Sequence, residues 1–183
     1  MTKKISTPLN KEITSSLHAG DWIELSGVIY AARDAAHQRL IGLIEGGLAL
    51  PFELTGSVIY YLGPSPARPG QVIGAAGPTT SGRMDGFTPR LLELGLLGMI
   101  GKGKRSAEVI GAIQTHQAVY FAAIGGDGAL LASHIRSQKV IAFADLGPEA
   151  ILELMVEDFP LIVAIDMHGG NLYESEVQKY RQK

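Results

Sequence analysis

Cysteine is absent from the 183 residues. No disulfide can form within the chain, and no thiolate-ligated zinc or iron–sulfur centre can sit on it alone. A surplus of one charge is also missing. The 16 Lys+Arg and 18 Asp+Glu residues leave a net charge of −2, which excludes a general nucleic-acid binder. No apolar run reaches the roughly 18 residues that a membrane-crossing helix needs. The opening MTKKISTPLNKEI lacks the apolar centre of a signal peptide. The expectation is a soluble cytoplasmic protein with no membrane or nucleic-acid partner.

Apolar residues are plentiful at 46%, which excludes a disordered chain. The length suits one domain with a sizeable core. The 23 glycines are gathered in a few places, so tight turns and close backbone approaches are expected there.

Along the chain, KKISTP (residues 3–8) predicts a short opening strand, and NKEITSSL a short helix or capped turn with Asn10 near its start. Asp21–Tyr30 alternates apolar and polar residues, as a strand does. AARDAAHQRL (31–40) predicts a helix that sets Arg33 and His37 on one face. SVIYYLGP, ending at Pro64, and QVIGAAGP predict further strands around the Pro/Gly loop Gly63–Gly70. TPRLLELG (88–95) predicts a helix with Gly95 as its C-cap. LLGMIGKG predicts a short buried strand, and SAEVIGAIQTHQ (106–117) a helix opened by Ser106 with Glu108 in its first turn. AVYFAAIGG predicts an apolar strand, DGALLASHI a helix start and KVIAFADL a strand. GPEAILELMVED predicts a helix with Pro148 near its first position, and LIVAIDMHGG a strand and turn. A polar tail follows from about residue 174. The first half is strand-rich and the second alternates strand and helix. This predicts one α/β domain over residues 1–183, a β-rich layer joined to an α/β layer.

Four stretches join glycine to charged or hydroxyl groups at a strand end, where α/β proteins place ligands. In ARDAAH, Arg33 carries a planar fork suited to a carboxylate. On the hexapeptide alone, an exposed helical face is the simpler reading. GPTTSGRM (Gly77–Met84) sets Thr79, Thr80, Ser81 and Arg83 after an apolar stretch, with glycines that leave backbone N–H groups open to an anion. A hydrogen-bonded Ser/Thr turn is the alternative. GMIGKGKRS (Gly98–Ser106) nearly matches a phosphate loop, but Arg105 stands where the magnesium-binding hydroxyl belongs, which rejects an NTPase. Lys102 and Lys104 before a helix N-terminus still suit an anion, against a plain basic surface turn. AIGGDG (Ala123–Gly128), with Asp145 downstream, hints at a dinucleotide fingerprint, but Leu131 breaks its spacing. A tight structural turn is expected there, and His168-Gly169-Gly170 carries the same ambiguity. Together Arg33, Arg83, Lys102 and Lys104 gather cations at loop ends of a net acidic chain. That points to a small-anion site, with a dicarboxylate as one candidate.

In order and spacing, ISTPL, GDWIELSGVIYAARDAAHQRL, GPTTSGRM, GKGKRS, AAIGGDGALLA, FADLGPEAI and VEDFPLIVAID resemble the β subunit of class I fumarases and L-tartrate dehydratases. They equally resemble the C-terminal domain of single-chain class I fumarases. The resemblance runs over nearly the whole chain, and ARD-x-x-H with GPTT-x-x-R-M is its most specific part. It implies a swivelling β/β/α domain. It also implies an iron–sulfur hydro-lyase whose [4Fe–4S] cluster sits on a partner α subunit, with no cofactor bound by this chain. The reaction implied is reversible hydration of fumarate to (S)-malate, or dehydration of tartrate. By motif position, Arg33, Arg83 and Lys102 would bind substrate carboxylates, and Thr79 would act as base, with the adjacent Thr80 as the other candidate. Asp34 and His37 would orient Arg33 or join a relay, and Lys104 would support the site. The Arg105-Ser106 ending of GKGKRS leans towards fumarase, whereas VAIDMHGGNL leans towards the tartrate enzymes. A non-catalytic dicarboxylate-binding module and a purely structural subunit are the rival classes. Without its partner, the exposed subunit surface would favour a homo-oligomer.

Overall fold

The computed structural model describes residues 2–123 and 128–180. Strand β1 (Lys3–Ser6) is followed by helix α1 (Lys11–Ser15), which Asn10 caps by accepting from the Ile13 amide at 2.8 Å. Strand β2 (Trp22–Ala31) buries Ile23, Leu25 and Ile29 on one face, the period-2 pattern read from the sequence. Gly27 breaks the ladder with φ +112°, and a Cβ there would lie 2.4 Å from Thr7 Oγ1. Helix α2 (Asp34–Glu45) starts one residue after Arg33 and runs past the expected end.

Strands β3 (Val58–Tyr60), β4 (Gly98–Gly101) and β5 (Val119–Ala122) are short, apolar and largely buried, as interior parallel strands are. Helices α3 (Thr88–Glu93) and α4 (Ala107–His116) lie between them in sequence. Gly95, φ +104°, follows α3 as expected, and Ser106 Oγ caps α4 by accepting from the Val109 amide at 3.2 Å. After α5 (Gly128–Ser133) come β6 (Ile135–Ala142) and the long strand β7 (Ile151–Ile165). Helix α6 (Leu172–Tyr180) closes the described chain.

β1, β2, β3, β4 and β5 pair in parallel in that order. β7 then runs antiparallel to β5, to β6 and, along most of its length, to β2. The sheet thus closes on itself through β2, β3, β4, β5 and β7, with β1 and β6 as flanks. The core fills this barrel-like sheet with side chains such as Tyr60, Tyr61, Tyr120, Phe121 and Phe159. The fold is mixed α/β, as expected.

Several elements differ from the sequence reading. GPEAILELMVED is not a helix. Pro148 and Glu149 end a 3-10 turn, Ala144–Glu149, and the rest is the first half of β7. Ile151, Leu154 and Val156 are buried while Met155 is exposed. The helix-favouring Leu, Glu and Met lost to burial between β2 and β6, where packing overrides propensity. QVIGAAGP forms no strand. A Cβ on Gly74 would sit 2.1 Å from the Ser65 carbonyl, so the segment folds against its own loop. SVIYYLGP keeps only β3, with Leu62 bridging Pro78 beyond it. The expected polar tail is helix α6 up to Tyr180. The second half alternates strand and helix as expected, but the first half is not strand-rich and alternates as well, and the two halves share one sheet because β7 zips onto β2. The turn expected at Gly125, Gly126 and Asp127 lies outside the described residues. Among the described residues, no helix is long and apolar enough to cross a membrane.

Candidate active site

The parallel strands β2, β3 and β4 are neighbours, so their C-terminal ends share one rim. β2 delivers Ala32 and Arg33 there, the Ala32 amide donating to the Tyr60 carbonyl at 3.0 Å. β3 delivers Tyr61 to Gly63, and β4 delivers Lys102. The GPTT segment lies across these ends. The Thr79 amide donates to the Tyr61 carbonyl at 2.8 Å, Thr80 bridges Lys102, and the Ser81 amide donates to the Lys102 carbonyl at 2.9 Å. A 3-10 turn, Ser81–Met84, then carries Arg83 back to Asp34 at the start of α2. Three segments far apart in sequence thus bring Arg33, Asp34, Thr79, Thr80, Arg83 and Lys102 to one edge of the sheet, at the C-terminal strand ends where α/β proteins hold ligands.

Asp34 is the hinge of this charge cluster. Its Oδ2 accepts from Arg33 Nε at 3.3 Å, and its Oδ1 lies 2.7 Å from Arg83 Nε. Partial burial pushes the Asp34 carboxyl up. Its own backbone amide, the Arg33 hydrogen bond and the Arg83 charge outweigh that and hold it below the usual carboxylate range. Both guanidinium groups are held by the Nε edge. Among the described residues, their terminal nitrogens make no hydrogen bond, which leaves forks suited to carboxylates. Arg83, Thr80 and Lys102 face solvent, and Thr79 is half-buried. In extended backbone, successive side chains point to opposite sides, so Thr79 and Thr80 do not present their hydroxyls to the same place. Lys104 is exposed on the same loop. A concavity of about 440 Å³ lies away from this rim, lined by Thr7, Val28, Tyr30 and Met155.

The model of the family described as Fumarase C-terminus matches residues 2–176. The chain belongs to that family. It is 39% identical over 181 residues to the Methanocaldococcus jannaschii protein named "Putative L(+)-tartrate dehydratase subunit beta", covering 96% of this chain and 93% of that one. It is 38% identical over 159 residues to Escherichia coli K12 "Fumarate hydratase class I, anaerobic", covering 86% of this chain but 29% of the relative. With Leishmania major "Fumarate hydratase 2" the identity is 35% over 173 residues, 92% of this chain and 30% of the relative. This fumarase C-terminal chain therefore spans nearly all of the first relative and under a third of the other two. Their names, a dehydratase and hydratases, make this a family of hydro-lyases, and the resemblance read from the motifs holds.

The fumarase C-terminal fold also uses residues the sequence reading passed over or misjudged. Arg105 is not a surface cation. Its side chain is fully buried, donating from Nε to Asp85 at 2.6 Å and from Nη2 to Thr88 Oγ1 at 2.7 Å, with Tyr61 and Tyr120 rings about it. Asp85 also accepts from the Ser106 amide at 2.7 Å. The Arg-Ser ending of GKGKRS thus pins the Lys102 loop from below. Ser81 is fully buried and accepts from Tyr120 Oη at 2.8 Å. A Cβ on Gly101 would lie 1.9 Å from Ser81 Oγ, so only glycine lets strand β4 and the GPTT turn meet. His168 and Asp166 hold the α1 end, His168 Nε2 meeting the Ser15 carbonyl and Asp166 accepting from the Ala19 amide. The two sequence features that separated fumarate from tartrate are therefore engaged in scaffolding.

His37 does not share a helical face with Arg33, which precedes α2 in extended conformation. Its ring is fully buried against Tyr61 and Phe87, and Nδ1–H donates to the Arg33 carbonyl at 3.0 Å. It steadies the backbone of Arg33. Burial pushes the imidazole down to about 4, with the Arg105 charge adding to it and the Arg33 carbonyl opposing it. The folded value thus lies below the unfolded one of about 6.5. The stability this gives is complete above that pH and drains away as pH falls towards 4. The wild type should lose on the order of 3 kcal/mol between pH 7 and pH 4 relative to a His37→Gln chain. Parallel denaturant titrations of the two chains would reveal this, and equal pH dependence would contradict it.

Proposed function

We propose that this chain is the β subunit of an iron–sulfur-dependent hydro-lyase that interconverts fumarate and (S)-malate, with a cluster-bearing α subunit completing the site. One observation carries the reading. Arg33, Arg83, Lys102 and the Thr79–Thr80 pair stand on one rim of a chain whose family acts by adding or removing water. The forks of Arg33 and Arg83 grip one or both substrate carboxylates, and Lys102 adds a movable point charge. Thr79, as its alkoxide, takes the proton from the carbon beside the leaving hydroxyl and becomes the neutral hydroxyl. Neutral threonine is a weak base, so the cations around it must favour the alkoxide.

The chain has no cysteine, and among the described residues no group of three or more His, Asp or Glu side chains could hold a metal ion. The residues here do not fit the cluster, which belongs to the partner in this reading, and no step on this chain runs through it. A rim this open does not exclude water, and catalysis of this kind needs an enclosed site. That supports a half-site covered by a second protein. A second reading, tartrate dehydration, is favoured by the β-subunit relative that this chain matches almost end to end. The assembled enzyme should turn over fumarate and malate faster than either tartrate in anaerobic assays. The reverse order would assign the tartrate reading.

A further inference from the structure

We infer that Glu149, to which the sequence motifs assign no role at the site, is a positioning residue that holds Arg33 ready for a substrate carboxylate. Helix α2 begins without a capping side chain of its own, because Arg33 occupies that position and makes no cap bond. Glu149, 114 residues further on, does the capping. Its Oε2 accepts from the Ala35 amide at 2.9 Å, and a carboxylate is well placed at a helix N-terminus. Its Oε1 lies 3.5 Å from Arg33 Nε, on the same edge that Asp34 holds. Two carboxylates therefore grip the inner edge of Arg33. Its Cδ and Nη1 pack so closely on Gly63 that a Cβ there would be 2.9 Å from each.

The turn that carries Glu149 is itself docked along α2. Arg39, on α2, pairs with Asp145 through both terminal nitrogens and lies over the Phe143 ring at 5.2 Å. The Pro148 carbonyl also abuts Gly63, 3.3 Å from where a Cβ would lie. Glu149 is thus fixed before any ligand arrives. One carboxylate sets both the end of α2 and the direction of Arg33, so that the guanidinium fork is not free to swing.

This inference rests on the proposed hydro-lyase reading for its functional part, and its test separates the two. Glu149→Gln keeps an oxygen for the Ala35 amide but removes the charge beside Arg33, whereas Glu149→Ala removes both. In the assembled enzyme, both variants should raise KM for the dicarboxylate about tenfold, with kcat changed by less than about threefold, because a misdirected binding group weakens ground state and transition state together. Only the alanine variant should melt lower, by about 2–4 °C, through loss of the cap. In the isolated full chain, the Arg33 Nε–H resonance should shift in both variants. An unmoved resonance, or wild-type KM in both variants of an active complex, would overturn the inference. A shifted resonance in a complex with no hydro-lyase activity would support the brace on Arg33 and sink the substrate assignment instead.

Discussion

Turnover by the assembled enzyme should fall about 10²–10³-fold in kcat/KM when Arg83 becomes alanine, while the chain keeps its fold and its partner. Arg83 stands on a 3-10 turn whose backbone is fixed independently by the Ser81–Lys102 and Tyr120–Ser81 hydrogen bonds. Its side chain is half-exposed, and its ion pair is with Asp34. Losing such an exposed pair changes stability by no more than about 1 kcal/mol. Losing a buried, charge-assisted contact to a substrate carboxylate is a different matter, costing about 2–5 kcal/mol because the ligand charge is left unpaired inside a closed site. Steady-state kinetics of the complex, with a melting curve as control, checks this. Activity near the wild-type level would remove Arg83 from substrate binding. Thr79→Val in the same assay should lower kcat more than it raises KM, as expected of a group that acts in the transition state. If Thr80→Val has that signature and Thr79→Val does not, the base is Thr80.

Replacing Arg105 by methionine should cost about 3–5 kcal/mol of unfolding free energy. Its guanidinium is sealed beneath the site between two tyrosine rings, and it neutralises Asp85, which is nearly buried itself. Burial works against the charge on Arg105, but the neighbouring tyrosines and Asp85 hold its pKa above the ordinary arginine value. Methionine fills part of the space and leaves the Asp85 carboxylate with the Ser106 amide but no counter-charge. Removing Asp85 as well, in an Arg105→Met/Asp85→Leu chain, should recover part of the loss, because a paired absence costs less than an orphaned charge. Denaturant titration of the single and double variants measures this. A single-variant loss below about 1 kcal/mol would show that Arg105 does not anchor the loop.

The legible parts of this protein were those where one local rule decides. Asn10 and Ser106 announced helix starts because a side-chain oxygen facing an amide three residues on works in any context. β2 was legible because one face is buried and the other is not. β7 was not, since Leu, Glu and Met carry helical propensity and only pairing with β2 and β6, remote in sequence, makes a strand of them. The same limit applies to the site. Arg33, Thr79, Arg83 and Lys102 could be selected from motif and resemblance, and three neighbouring strand ends bring them together. Glu149 could not be selected, because it was assigned to a helix that does not form and its partners lie more than a hundred residues earlier. Arg105 entered the reading only as the residue that breaks a phosphate-loop match, because its run of basic neighbours gave no hint of Asp85 and two tyrosines waiting below. His37 was placed beside Arg33 on a helix face that starts one residue too late to hold both.

The central claim is that this chain carries half of a hydro-lyase site. Anaerobic hydration of fumarate should be measured with the chain alone and again after mixing with a cluster-loaded α subunit from the same source. The account predicts no turnover alone and turnover of fumarate and malate in the mixture. Turnover by the chain alone, or none in the mixture with the cluster shown intact and no dicarboxylate hydrated or dehydrated, would contradict it.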